Sequence, residues 1–508
     1  MTEITIRQIP THKLIRDPIH GHISLTKLEF AILQLPVFNR LHDIKQMGMA
    51  HLVYPGAIHT RFTHSLGAMH LASSIAYRIL QSLEKREFRE LFPDSSSESE
   101  RLRIIQTVRL AALLHDVGHG AFSHATEDIM RATMVQYHHA ELDSALGLWG
   151  AKHRRDFPVH EYYSFMLVKK SELKDVIEDS RLGRMDGGLE VAVHAGDVAG
   201  LLAKADDDVG FCSEEALPIV RRIVSSQLDS DRMDYLVRDA YMTGVPYGEV
   251  DVHRIISQML IRRNRIGELH FAVHERAIGS VEDFLDARFK MYKWLASHHM
   301  VVAANELLKQ AITESIEKGD LSAGAFYWKQ FSVGEGSDTH VVTGLLRRVK
   351  KVKSPFRGLV DRRYFPVSLL KRPRDHEKFE NDVKEATGMR VSSQAIRDKL
   401  PRLMDRFQKD PYVKLRGYDG RVLAVPVTRT PYRSREEKDI VWLTSREPDV
   451  LHELTEVSQY FSEINREWAT FPSYYISYVV PGKTKAFAAS VRMLDSFRKK
   501  VVSMAAES

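Results

Sequence analysis

Three histidines and an aspartate fall within ten residues in His115-Asp116-Val117-Gly118-His119-Gly120-Ala121-Phe122-Ser123-His124. Imidazole and carboxylate together suit a divalent transition ion better than calcium. His115 and Asp116 are neighbours, about 100° apart on a helix, so one ion can take both only if other elements complete its shell. Two places offer the rest. Arg61-Phe62-Thr63-His64 puts a histidine beside an arginine, and Asp229-Ser230-Asp231-Arg232-Met233-Asp234-Tyr235 supplies carboxylates. From Asp231 the positions four and eight residues on are Tyr235 and Asp239, so carboxylate, phenol and carboxylate line one helical face.

Helices must position these residues. Apolar spacing through Leu66, Leu71, Ile75 and Ile79 predicts one helix over residues 63–87. A second runs from Leu102 to about Asp116 and ends where Gly118 and Gly120 break it. Residues 125–158 give mixed signals and read as an inserted, partly exposed excursion. The sequence predicts a short strand over Ile266 to His274, and a hairpin around Tyr418-Asp419-Gly420. The fold class is mainly α: an N-terminal arm over 1–25, a helical core over 26–315, and a smaller C-terminal α+β region over 316–508.

Composition narrows the function classes. The 508 residues carry 73 Lys and Arg against 67 Asp and Glu, a net charge of only +6. Bulk nucleic-acid binding through phosphate contacts wants a more concentrated excess. One cysteine, Cys212, can form neither an intramolecular disulfide nor a cysteine-based zinc knuckle. No apolar run approaches the roughly 20 residues of a membrane span, and the reading is cytoplasmic. The 24 histidines are the compositional oddity. His20, His51, His70, His194 and His270 read as hydrogen-bonded core residues, and His138, His139 and His153 as solvated ones.

The order His64, His115-Asp116, Asp231 resembles the H…HD…D signature of HD-domain metal-dependent phosphohydrolases. The words Asp17-Pro-Ile-His-Gly-His, Tyr54-Pro-Gly-Ala-Ile-His-Thr-Arg-Phe-Thr-His, His115-Asp-Val-Gly-His-Gly and Asp231-Arg-Met-Asp-Tyr-Leu are similar to one branch of that family. That branch comprises the deoxynucleoside triphosphate triphosphohydrolases, bacterial and vertebrate, and the likeness spans roughly residues 13 to 310. It implies four metal ligands, His64, His115, Asp116 and Asp231, holding one divalent ion (Mn, Fe, Ni, Co, Mg or Zn), with a second Mg carried by the substrate phosphates. It also implies catalytic His119, His124 and His160, the last oriented by Glu161. Arg61, Arg232 and Arg288 become phosphate contacts. Gln46 and Asp239 become contacts to the sugar 3′-hydroxyl, Tyr235 packs on the deoxyribose, and Met47 and His298 complete the substrate-binding set. The implied reaction is attack at the α-phosphorus of a dNTP, releasing deoxynucleoside and inorganic triphosphate.

The chain also departs from that pattern. Ala296, two residues before His298, stands where relatives have a base-stacking tyrosine. Leu35, Asn39 and His42 occupy the positions of the vertebrate guanine-specific activator pocket, although Lys13 and Arg16 keep positive charge nearby. The competing readings are an HD phosphohydrolase acting on a monophosphate, modified or signalling nucleotide, and a nucleic-acid-binding protein or nuclease. The basic run from Arg347 to Arg374 reads as a solvated face or a phosphate-binding interface. The resemblance implies a homo-oligomer, dimer or tetramer, with a nucleotide effector between subunits.

Overall fold

The computed structural model describes residues 7–149, 157–184, 189–203, 209–349, 364–370, 373–388, 412–415, 418–426, 441–445, 450–460, 474–481 and 498–506, with isolated positions between 392 and 406 and residue 463. Most of the basic run, residues 350–363 and 371–372, lies outside the described residues. The chain is mostly helical, with three small sheets among the described residues. No described helix is long and apolar enough to cross a membrane.

Two compact units form, and their boundaries are not a single cut near residue 315. One unit comprises residues 1–291, 322–342 and 432–463; the other comprises 292–321, 343–431 and 464–508. The chain leaves the first unit and returns to it twice, which local sequence patterns do not encode.

In the first unit, β1 (Lys13–Asp17) and β2 (Gly21–Leu25) pair as an antiparallel hairpin in the predicted arm. Gly21 turns the hairpin at φ 73°, a left-handed backbone that glycine adopts without strain. Helix α1 (Lys27–Gln34) opens on a capping box, with Thr26 accepting from the Glu29 amide and Glu29 accepting from the Thr26 amide. Helix α2 (Arg61–Gln81) packs against α3 (Glu98–Leu114), whose buried face includes Ile105, Val108, Ala112 and Leu113. Both are so thoroughly buried that their ends, not their middles, reach the site. The helix predicted to run to residue 87 stops at Gln81, and a separate short helix covers Lys85–Leu91. Ser97 caps α3 in another capping box with Glu100. Ser97→Ala should cost about 1 kcal/mol, the usual value of such a cap, read as a fall in the thermal midpoint with metal content unchanged.

The excursion is helical. Helices α4 (Glu127–Tyr137) and α5 (His139–Leu148) bury Ile129, Met130, Met134, Leu142 and Ala145, so residues 127–148 are a packed pair, while 150–156 lie outside the described residues. Helix α6 (Val159–Lys170) follows, and α7 (Ser230–Thr243) packs on α2. Strands β3 (Met259–Arg263) and β4 (Leu269–His274) form a hairpin with Gly267 at φ 88°, so the predicted strand begins after that glycine. Short strands Trp442–Thr444 and Leu451–Glu453 extend the same sheet.

The second unit holds a four-stranded sheet in the order Tyr364–Leu370, Tyr474–Pro481, Tyr418–Pro426, Tyr412–Leu415. The predicted hairpin is there, with Asp419 and Gly420 already in its second strand, opposite Lys414 and Val413. Helices His299–Glu317 and Pro373–Ala386 belong to the same unit.

Candidate metal centre and histidine cluster

Four side chains from three helices meet in the first unit. His64 lies in the first turn of α2, His115 and Asp116 at the end of α3, and Asp231 in the first turn of α7. Ligand atoms of His64, His115 and Asp116 all lie within 4.8 Å of one another. Asp231 Oδ1 stands 3.0 Å from His64 Nε2 and 3.5 Å from His115 Nε2. Asp229, two residues before Asp231, is spent on structure: it caps α7 by accepting from the Arg232 amide.

The donor set suits a divalent ion. His64 Nδ1 faces Asp234 Oδ2 at 2.8 Å and His115 Nδ1 faces the Ala112 carbonyl at 2.7 Å, which fixes the protons there and turns both Nε2 atoms inward. Those Nε2 atoms are buried and make no hydrogen bond among the described residues. Burial pushes the His64 imidazole down, but Asp231, Asp234 and Asp116 outweigh it and pull it up to about 10. His115 is likewise raised, by Asp116 and Asp231, against the effect of burial. The pocket therefore favours positive charge between its imidazoles and carboxylates, and two nitrogens with two carboxylates match a transition-ion shell.

Behind His64 stands a buried network. Arg238 Nε donates to Asp234 Oδ2 at 2.8 Å and Arg238 Nη1 to Asp17 Oδ2 at 2.8 Å. His20 Nε2 lies 2.6 Å from Asp234 Oδ1. Asp231, Asp234 and Arg238 recur at three- and four-residue spacing, so one face of α7 carries both the inner carboxylate and its support. His20, which the sequence marks only as a core residue, belongs to this network with Asp17, Asp234 and Arg238, whose support of His64 no local pattern signals.

A second cluster adjoins the first. His119 Nε2 lies 3.4 Å from Asp116 Oδ1, and the His119 and His160 rings stack with centroids 4.0 Å apart. His124 completes the group, edge-on to both. The carboxylate that serves it is Glu127: its Oε1 lies 2.8 Å from His124 Nδ1 and also pairs with His160 Nδ1. Glu161, expected to orient His160, accepts instead from the Trp149 indole at 3.3 Å. On a helix, successive residues diverge by 100°, so Glu161 cannot face the same way as His160, whereas Glu127, three residues after His124, can. Burial pushes the Glu127 carboxyl up, but His124 and His160 outweigh it and hold it well below the usual range. His160 is raised, Glu127 overcoming burial, while burial, Arg61 and His160 keep His119 low and neutral. Glu127→Gln should lower turnover roughly 10- to 100-fold, the scale of a general acid losing its partner, whereas Glu161→Gln should stay within about threefold by steady-state assay.

The turn between these clusters is tightly held. Gly118 donates its amide to Ser164 Oγ at 2.8 Å, and a β-carbon there would come within 2.2 Å of the His160 carbonyl oxygen. Arg40, buried without a carboxylate partner among the described residues, donates to the carbonyls of His119 (2.7 Å) and Val117 and lies 4.1 Å from the Phe331 ring. Burial pushes its guanidinium down to about 9.

The remaining expected residues divide. Arg61, 3% exposed, pairs with Asp116 and donates from Nε to Ser123 Oγ at 2.8 Å, at the junction of both clusters. Gln46 and Asp239 both bond to His59: the Gln46 backbone N–H donates to the His59 carbonyl at 3.0 Å, and His59 Nε2 lies 2.7 Å from Asp239 Oδ1. The Gln46 side-chain oxygen is buried without a hydrogen-bond partner among the described residues. The Tyr235 ring centroid is 6.5 Å from that of His64. Met47 is half-buried beside Gln46. Arg232 pairs with Asp229 and the buried Arg288 with Gln227. His298 lies in the second unit, capping helix His299–Glu317.

The helical fold and the histidine–aspartate site define a class: residues 61–182 match the HD domain family model, so this chain carries an HD domain. Its relatives include an uncharacterised protein of Bacillus subtilis, YwfO, 30% identical over 302 residues (59% of this chain, 55% of the relative). The human deoxynucleoside triphosphate triphosphohydrolase SAMHD1 is 26% identical over 322 residues (61% and 45%). The chain thus spans about half the length of the curated relatives it matches. A solved phosphohydrolase from Bacteroides thetaiotaomicron shares the fold, with a TM-score of 0.58 at 21% identity over 93% of this chain and all of that one. A hypothetical protein from Aquifex aeolicus does so with a TM-score of 0.59 at 23% identity, covering 92% and 96%.

Proposed function

We propose that the protein hydrolyses deoxynucleoside triphosphates to deoxynucleoside and inorganic triphosphate. The observation that carries this reading is the sharing of Asp116: one carboxylate faces the His64–His115 pair and, on its other side, His119 of the histidine cluster. A site for a metal and a proton-handling group therefore address the same few ångströms. His64, His115, Asp116 and Asp231 would hold the ion, which supplies polarisation of a phosphoryl oxygen and activation of water.

The protein's own groups do the rest. Arg61 offers a bidentate guanidinium for phosphate, matched to the roughly four negative charges of a triphosphate. Water attacks the α-phosphorus, the bond from phosphorus to the 5′-oxygen breaks, and that oxygen takes a proton from the His124–Glu127–His160 group. Gln46 and Asp239, joined through His59, would bind the sugar 3′-hydroxyl, and Tyr235 would exclude a 2′-hydroxyl. A homo-oligomer with a nucleotide effector, which the family resemblance implies, is part of the same proposal.

Ala296 favours a second reading, a nucleotide with another base or fewer phosphates, because the expected stacking tyrosine is missing. Metal-loaded protein incubated with each dNTP, each NTP, nucleoside monophosphates and single-stranded DNA, with products separated by ion exchange, tests both. Deoxynucleoside with triphosphate is the expected pair. Pyrophosphate with monophosphate, or shortened oligonucleotide, would sink the first reading.

A further inference from the structure

Asp338 stands 216 positions beyond Phe122 in the chain, yet it is 2% exposed and bonded to that residue. It lies in the stretch 322–342, which returns to the first unit. Its Oδ1 accepts the Phe122 amide at 2.6 Å, while Oδ2 accepts from the Lys45 amide at 3.2 Å and from Lys45 Nζ at 3.3 Å. The residues it grips are unusual. Phe122 and Ser123 hold φ of 59° and 56°, the only non-glycine positive values among the described residues. A β-carbon disfavours that left-handed backbone, so two in succession persist only where surrounding bonds impose them.

The constrained turn has two outputs. Ser123 Oγ donates to the Lys45 carbonyl at 2.7 Å and accepts from Arg61 Nε at 2.8 Å, so the turn sets the guanidinium beside Asp116. Lys45 directly precedes Gln46, whose buried side-chain oxygen has no hydrogen-bond partner among the described residues. One carboxylate thus sutures the segment bearing Gln46 to the turn that aims Arg61.

We propose that Asp338 is a positioning residue of the hydrolytic site, holding Phe122–Ser123 left-handed against Lys45 so that Arg61 and Gln46 keep their places. This rests on the phosphohydrolase reading, but its test does not depend on that reading alone. Asp338→Ala removes both acceptor atoms, Asp338→Asn keeps one acceptor for the Phe122 amide, and Thr339→Ala removes a neighbouring surface bond to Asp43 as a stability control. Amide exchange over residues 117–124 should accelerate at least about tenfold in Asp338→Ala, with the rest of the first unit unchanged. With a dNTP as substrate, kcat/KM should fall roughly 30- to 100-fold in Asp338→Ala and less than about tenfold in Asp338→Asn, the scale expected of an ångström of misplacement. Binding of inorganic triphosphate, measured calorimetrically, should weaken in parallel, and Mn binding should not. Phe122→Gly, which admits a positive φ freely, should cost less activity in the Asp338→Ala background than alone.

Unchanged exchange in the turn would overturn the proposal. So would protection lost across the whole unit, or losses that merely track the thermal midpoint and match Thr339→Ala. Should Asp338→Ala fail to fold, Asp338→Asn decides: exchange and triphosphate affinity at wild-type values would overturn the proposal, intermediate shifts confined to the turn support it. Absence of dNTP hydrolysis by the wild-type protein would remove the functional reading, while the exchange and triphosphate measurements would still judge Asp338.

Discussion

Asp116→Asn should abolish hydrolysis, lowering turnover by roughly a thousandfold or more, equivalent to about 4 kcal/mol of lost transition-state stabilisation. The size follows from how many partners share this carboxylate. It lies 3.4 Å from His64 Nε2 on one oxygen, and 3.4 Å from both His115 Nε2 and His119 Nε2 on the other, and it also pairs with Arg61. Burial pushes its carboxyl up, yet Arg61, His115 and His119 overcome that and hold it well below the usual carboxylate range. The site is therefore built around a fixed negative charge. An amide of the same shape removes that charge, weakening the attraction for a divalent ion and leaving the Arg61 guanidinium, 3% exposed, without its anion. Elemental analysis of the purified variant should show metal content well below the wild type, and turnover should be lost in step. Turnover within tenfold of wild type, with metal lost, would separate the ion from the chemistry and refute the assignment. Retained metal with lost turnover would instead place the main role of Asp116 in holding Arg61 and His119.

The contrast between His64, Glu127 and Asp338 shows what the sequence could reveal. The three words that carry His64, His115, Asp116 and Asp231 were legible because imidazoles and carboxylates are the residues a transition ion takes, while their grouping as one ligand set came from the family resemblance. Two of their helices were legible too, α2 through its apolar spacing and α3 as an apolar run that ends where Gly118 and Gly120 break it. Glu127 was missed in favour of Glu161, although it sits three residues after His124, the same one-turn spacing that links Asp231 to Asp234. Adjacency along the chain is a poor guide to which carboxylate reaches an imidazole; one helical turn is a better one. The α4–α5 pair was hidden because its apolar residues are interrupted by charged and polar ones on a short, half-exposed pair of helices. Asp338 and the twice-interrupted first unit could not be read at all. Both depend on segments returning from far along the chain, and no local periodicity records a return.

Gly67→Ala should be among the most damaging single-methyl changes in the molecule. A β-carbon at Gly67 would lie 1.8 Å from Asp234 Oδ1 and 2.5 Å from Arg238 Nη2. Neither group has room to yield, since Asp234 is fully buried and Arg238 is 1% exposed. Asp234 must leave its place, which breaks its bonds to Arg238, His20 and His64 together. Breaking a buried ion pair of this kind costs about 3–5 kcal/mol, enough to lower the thermal midpoint by many degrees. A second, separable loss follows from the His64 ring. Without Asp234 holding Nδ1–H, its orientation and basicity are no longer fixed, and losing such an outer partner typically weakens metal affinity 10- to 100-fold. Asp234→Asn offers the milder comparison, because the amide keeps the shape while removing the charge that Arg238 and His64 face. In equilibrium unfolding and Mn titration, Gly67→Ala should lose both stability and affinity, and Asp234→Asn should lose affinity even under conditions where it stays folded. If Gly67→Ala instead matched the wild type in both, α2 and α7 would have to separate enough to admit the methyl, and the tight approach that aims His64 into the site would not be what holds it there.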